Sequence, residues 1–111
     1  MAKLGSIELV ADKDVKKGEE TNINALFTSH TYSGEQRKEF ELLEDVTRDK
    51  TGIKVTIAKV GSFDTKADIS KKKGEKASCW NLLKYADCSK NLKASEDIKK
   101  GDKLGTTIET L

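Results

Sequence analysis

The sequence predicts a mainly β domain, a small and partly closed β-barrel with one or two short helices. Three observations carry this. "IKVTI" (Ile53 to Ile57) alternates β-branched and polar residues, the period of a half-buried strand. Lysine-rich strings ending in Gly punctuate the chain as "DVKKGE", "DISKKKGE" and "DIKKGD". Such strings make turns, because Gly accepts a positive φ and lysines stay in water. Finally, 35% of the 111 residues are apolar against 36% charged, and the apolar ones gather into short runs. That composition describes one domain with a thin core under a charged surface.

The elements follow in order. "IELVA" (7–11) reads as a short strand, and "INALF" (23–27) is ambiguous between strand and helix. "TSHTYSGEQRK" (28–38) is polar and reads as a loop turning at Gly34. Residues 40–46 form a strand with Phe40, Leu42 and Val46 on one face and Leu43 on the other. "TRDKTG" supplies a turn, and the strand 53–57 completes a β-hairpin with an inward face of Ile53, Val55 and Ile57. Asp64 starts one or two helical turns over 64–70. Ser78 caps a better helix over 78–88, with Trp80, Leu83 and Ala86 near one face. "NLKASEDI" and "LGTTIET" close the domain as short strands. Residues between the lysine-rich turns do not match, so these read as separate solvated turns and not as an internal repeat. The expected core is Phe40, Leu42, Ile53, Val55, Ile57, Phe63, Trp80, Leu83 and Ile98.

Chemistry finds little to work with. The single His, His30, lies beside Ser29 and Tyr32 in a polar stretch, and adjacency in sequence does not build a triad. Cys79, Cys88 and one distant His fit no zinc spacing. On a continuous helix the two cysteines stand about 13 Å apart, too far for a disulfide, so both thiols are expected free. No phosphate-loop string occurs. "DIKKGDKLG" is similar to a turn of biotinyl or lipoyl carrier domains, yet the lysine-bearing tetrapeptide those carriers modify is missing. Carboxylates are interspersed with lysines, and no pair sits in an apolar context that would split its pKa values. The expectation is a protein that is not an enzyme and holds no metal or cofactor.

The net charge of +2 comes from 21 basic and 19 acidic residues with both signs interspersed, and aromatics are 5%. This disfavours a direct nucleic-acid partner. No apolar run is long enough to span a membrane. The N-terminus has no signal-peptide pattern, which points to synthesis in a cytoplasm.

"LLEDVTRDKTGIKVTIAKVGSFDTKADI" (42–69) resembles the core of tailed-bacteriophage head decoration proteins of the lambda type. The shared features are the apolar run ending in Glu44-Asp45, the polar loop 47–52, the alternating strand 53–60 and Gly61-Ser62-Phe63. The resemblance covers about a quarter of the chain; the N-terminal third departs from the family pattern, being charged and without a Pro-Gly-rich arm. It implies a viral structural protein, made in the host cytoplasm and carried on the virion. Such proteins sit as homotrimers on the outer face of an expanded capsid, bind the major capsid protein and stabilise the shell against internal pressure. It further implies a mobile N-terminal docking segment, residues 1–12, ahead of a β-rich domain over 13–111. Lys3, Leu4, Ser6, Ile7 and Leu9 are the candidate capsid-binding residues. An ordinary first strand of the domain's own sheet remains the other reading of the same segment. A different class of function is a β-barrel binding module for carbohydrate or single-stranded nucleic acid, using Phe27, Tyr32 and Tyr85.

Overall fold

A computed structural model describes residues 2–28 and 34–111. The expected loop His30 and Tyr32 lie outside the described residues. Among the described residues eight strands dominate: β1 (Ala2–Val10), β2 (Glu20–Thr21), β3 (Glu39–Glu41), β4 (Ile53–Ile57), β5 (Gly61–Thr65), β6 (Lys76–Ser78), β7 (Leu92–Lys93) and β8 (Lys103–Thr110). Among the same residues three one-turn helices join them: α1 (Ile23–Leu26), α2 (Cys79–Leu82) and α3 (Tyr85–Cys88), with a 3-10 turn at Glu35–Arg37. The main sheet runs β1-β8-β4-β5, and two small sheets pair β2 with β7 and β3 with β6. The mainly β class holds. The barrel does not appear in the strand pairing, which leaves three open sheets.

The alternation of β4 works as its sequence requires. Ile53, Val55 and Ile57 are buried while Lys54 and Thr56 are partly exposed. Its partner differs from the expected one. β4 pairs with β5, Val55 opposite Phe63, and with β8, Val55 opposite Ile108. The run 40–46 pairs elsewhere, with Phe40 opposite Ala77 of β6. The expected hairpin is therefore replaced by β4–β5, closed at residues 58–60 with Lys59 at a left-handed φ of 68°. The expected helix over 64–70 is also absent. Its first residues belong to β5, and Ala67 forms a bridge with Leu83.

The helix over 78–88 is half right. Ser78 caps α2 through a capping box with Asn81. Leu83 then turns extended, at φ −98° and ψ 149°, and α3 starts afresh. The break is tertiary, since the Leu83 backbone is drawn onto Ala67. Trp80 consequently stays half-buried, while the other eight expected core residues are buried with Leu4, Leu9, Leu26, Phe27 and Leu104.

The lysine-rich turns prove to be four copies of one unit. Segments 11–19, 42–50, 67–75 and 94–102 read "ADKDVKKGE", "LLEDVTRDK", "ADISKKKGE" and "ASEDIKKGD". In each, the eighth residue takes a left-handed φ: Gly18 89°, Asp49 67°, Gly74 91° and Gly101 95°. The turns interlock in pairs, first with fourth and second with third. Val15 and Ile98 exchange backbone hydrogen bonds of 2.9 and 2.7 Å, as Val46 and Lys71 do at 2.8 and 2.9 Å. The side chains reciprocate. Lys17 N–H donates to Asp97 Oδ1 and Lys100 N–H to Asp14 Oδ1; in the other pair, Lys73 N–H donates to Asp45 Oδ1 and Arg48 N–H to Ser70 Oγ.

This equivalence extends across the described residues of both halves, which corrects the reading of separate turns. The half 2–57 runs strand, turn, β2, α1, β3, turn, strand. The half 61–110 repeats that order with β5, turn, β6, α2, β7, turn and β8. Asn22 caps α1 where Ser78 caps α2. Asp12 N–H donates to Leu26 O at 2.9 Å where Asp68 N–H donates to Leu82 O at 2.7 Å. Leu43 N–H reaches Leu4 O at 2.8 Å where Ser95 N–H reaches Lys59 O at 2.9 Å. The matching pairs β1–β8 and β5–β4 flank a central pair, β4–β8, through which the approximate two-fold axis passes.

Candidate interaction surfaces

The N-terminal segment is the first strand of the domain's own sheet. β1 pairs with β8 from Ala2 opposite Thr110 to Val10 opposite Lys103, with a bulge between Lys3 and Gly5. Of the five residues singled out for docking, Leu4 and Leu9 are core, at 0% and 1% exposure. They face inward, and in this conformation they offer nothing to a partner. Lys3 and Ser6 are exposed and Ile7 is half-buried. The structure thus divides the five: Leu4 and Leu9 are core, Ile7 packs against the core from the same face as Leu9, and only Lys3 and Ser6 point outward, as the alternation on either side of the bulge requires.

Exposed apolar residues gather at one end of this sheet. Leu43 is 47% exposed and Leu111 59%. The Leu43 amide bonds Leu4 O, and the Leu111 amide bonds Gly52 O at 2.7 Å. Ala2, Ile53 and Thr110 share one register line there. Both leucines therefore emerge where β1 and β4 begin and β8 ends. Sequence patterning put Leu43 on the face opposite Phe40 and Leu42, but it gave no sign that Leu111 would join it.

A third surface is aromatic. Tyr85 is 65% exposed and meets Trp80 edge to face, ring centroids 5.8 Å apart. The guanidinium of Arg37 lies 5.3 Å from the Trp80 ring centroid. Of the aromatic candidates for base or sugar stacking, Phe27 is fully buried and Tyr85 is exposed. Trp80 already carries a cation and a perpendicular ring as neighbours.

A shallow cleft of about 450 Å³ is lined by Thr65, Lys84, Asp87 and Lys90 among others. Its charges are engaged with one another. Lys84 pairs with Asp49 at 2.9 Å and Asp68 at 3.8 Å. Lys90 reaches the Asp64 carbonyl at 2.8 Å and Asp87 at 3.8 Å. Asp87 Oδ2 accepts from the Thr65 hydroxyl at 2.6 Å. The hydrogen bond from Lys84 holds the Asp49 carboxyl below its usual value and raises the Lys84 ammonium. Asp102 is lowered first by the Lys99 backbone N–H and then by Lys59. These groups are exposed and solvent screens them. They brace turns against helix α3 and against the 58–60 hairpin.

Cys79 and Cys88 are free thiols, both buried. Burial pushes each up to about 12, the Cys79 thiol further through neighbouring Cys88 and the Cys88 thiol through Asp87. A thiol so placed stays protonated and is a poor nucleophile. Among the described residues, no group of three or more His, Cys, Asp or Glu could hold a metal ion, and no helix is long and apolar enough to cross a membrane. No family model, curated protein or solved structure matches the chain.

Proposed function

We propose that the chain is a structural binding protein of the capsid-decoration kind. In this reading it binds the major capsid protein on the outer surface of an expanded phage capsid as a homotrimer, and stabilises the shell against internal pressure. One observation carries the proposal. The stretch 42–69, which bears the resemblance to lambda-type decoration proteins, folds as one continuous block. It spans the turn 42–50, the strand β4, the 58–60 hairpin, β5 and the start of the turn 67–75 that interlocks with 42–50. A cementing protein must resist distortion, and this block is cross-linked by reciprocal backbone bonds at both ends. The exposed Leu43 within it and Leu111 at the same sheet end supply apolar contact area. Docking in this reading uses β1 as an ordered strand, presenting Lys3 and Ser6 from its outer side.

The test is co-sedimentation with expanded tailed-phage capsids that lack their decoration protein. Binding in stoichiometric amounts, weakened by Leu43→Asp or Leu111→Asp without loss of folding, supports the proposal. Absence of binding across several such capsids, with the protein folded, overturns it.

A further inference from the structure

The two-fold repeat has a topological property with a consequence for assembly. Every ladder between named strands joins one half of the chain to the other. β1, β2, β3 and β4 lie in 2–57, and their partners β8, β7, β6, β8 and β5 all lie in 61–110. Both clasps do the same: turn 11–19 grips 94–102 and turn 42–50 grips 67–75. Neither half forms a sheet ladder from its own strands, so each takes nearly all its strand hydrogen bonds from its counterpart. Core burial follows, because Leu4 and Leu9 lie on β1 while Leu104 and Ile108 lie across on β8.

The halves are linked only through residues 58–60. Ala58 is exposed, and Lys59 adopts a left-handed backbone that non-glycine residues seldom take. The covalent link holds two complementary pieces at high effective concentration. Such an arrangement is an intertwined dimer written into one chain.

We propose that the halves are separable recognition partners, so that a second copy of this chain can supply either half. In the resting protein the 58–60 hairpin closes and each chain satisfies itself. When that hairpin opens, β4 of one copy pairs with β5 of another and the same clasps re-form between chains. Each ladder and clasp bond is replaced by its equivalent, and only the hinge changes conformation, giving up the Val60 N–H to Ile57 O bond of 3.1 Å that closes the turn. The proposal stands independently of the capsid reading.

The experiment uses the full chain with a flexible loop carrying a protease recognition sequence inserted between Lys59 and Val60. Before cutting, the protein should melt near the parent temperature, since lengthening a surface loop costs little. After cutting, the two fragments should co-elute as a one-to-one complex with native circular dichroism. They should reassemble on dilution from denaturant, with a midpoint that rises with protein concentration only in the cut form. Fragments that separate, or that lose structure at every concentration, overturn the proposal. A second variant, deletion of Lys59, decides independently. It shortens the hairpin, so light scattering should show mass doubled or higher with native circular dichroism. A natively folded monomer, or a chain that folds at no concentration, overturns the proposal.

Discussion

Gly5 lies beneath the ring of Phe40. A Cβ on Gly5 would sit 2.7 Å from Phe40 Cε2 and closer still to Cδ2. Phe40 is 7% exposed and belongs to β3, so this contact seats the small β3–β6 sheet on the main sheet at the β1 bulge. Glycine here serves close approach, not a special φ. Gly5→Ala should lower stability by about 1–3 kcal/mol through overpacking. Gly5→Ala combined with Phe40→Leu should recover part of that loss. Urea melts of the four proteins in the cycle give the coupling, and additive effects would mean that the two residues do not press on each other.

Deleting residues 2–9 tests the N-terminal strand. The deletion removes Leu4 and Leu9, whose burial contributes roughly 3–6 kcal/mol, and strips β8 of one ladder. That is comparable to the whole stability of a small domain. Truncated protein should be largely unfolded at 25 °C by circular dichroism. A truncated chain that melts like the parent would restore the mobile docking segment.

Core composition was legible because β4 alternates strictly and its neighbours are apolar runs with clear faces. Pairing was not legible. Nearest-neighbour logic folds 40–46 onto 53–57, yet "VTRDKTG" is an arm of a clasp that closes on 67–75. The true hairpin turn places a left-handed φ on Lys59, where no Gly or Asn signals it. The repeat hid for a similar reason. No position of the unit is the same in all four copies: the second has Asp49 where the others have Gly, and the third has Ser70 and Lys71 where the others have Asp and a β-branched residue. The helix divided at Leu83 without any local breaker in "CWNLLKYADC". Of the candidate docking residues, the sequence could not say which faced inward, because a bulge at Gly5 shifts the alternation.

The turn unit makes a prediction about its eighth position. A Cβ at Gly101 meets nothing within 4 Å, so substitution there costs backbone strain alone. Gly101→Ala should destabilise by about 1–2 kcal/mol, the cost of a left-handed L-residue. Gly101→Asp should cost less, since Asp49 holds the equivalent place at φ 67° and Asp tolerates that region. Gly101→Val should cost most. Denaturant midpoints in any other order would show that the site is not governed by φ.

Val55 and Lys54 separate the two faces of β4. Val55→Asp places a carboxylate between Phe63 and Ile108 with no partner, and should unfold the domain. Lys54 stands opposite Asp64 on one side and Glu109 on the other. Lys54→Thr should therefore be nearly neutral. Lys54→Asp should be mildly destabilising, since like charges would face each other across both ladders. Equal melting temperatures for Val55→Asp and Lys54→Thr would remove the strand assignment.

The cysteines give the last prediction, a pH dependence. Both thiols are raised from 9.0 to about 12 in the folded chain. Below about pH 9 folded and unfolded states are equally protonated at these sites, and the stabilising difference is fully present. As pH climbs toward 12 the unfolded chain releases both protons while the folded chain keeps them, so stability falls. Cys79→Ala with Cys88→Ala removes this linkage. Relative to neutral pH, the double variant should lose less stability than the parent between pH 8 and 11, although the small cavities lower its stability at pH 7. A thiol reagent at pH 8 should find two reactive groups per chain in denaturant and react far more slowly with the native protein. Parallel alkaline limbs for parent and variant, or rapid native labelling, would show that the thiols are not sealed in the core.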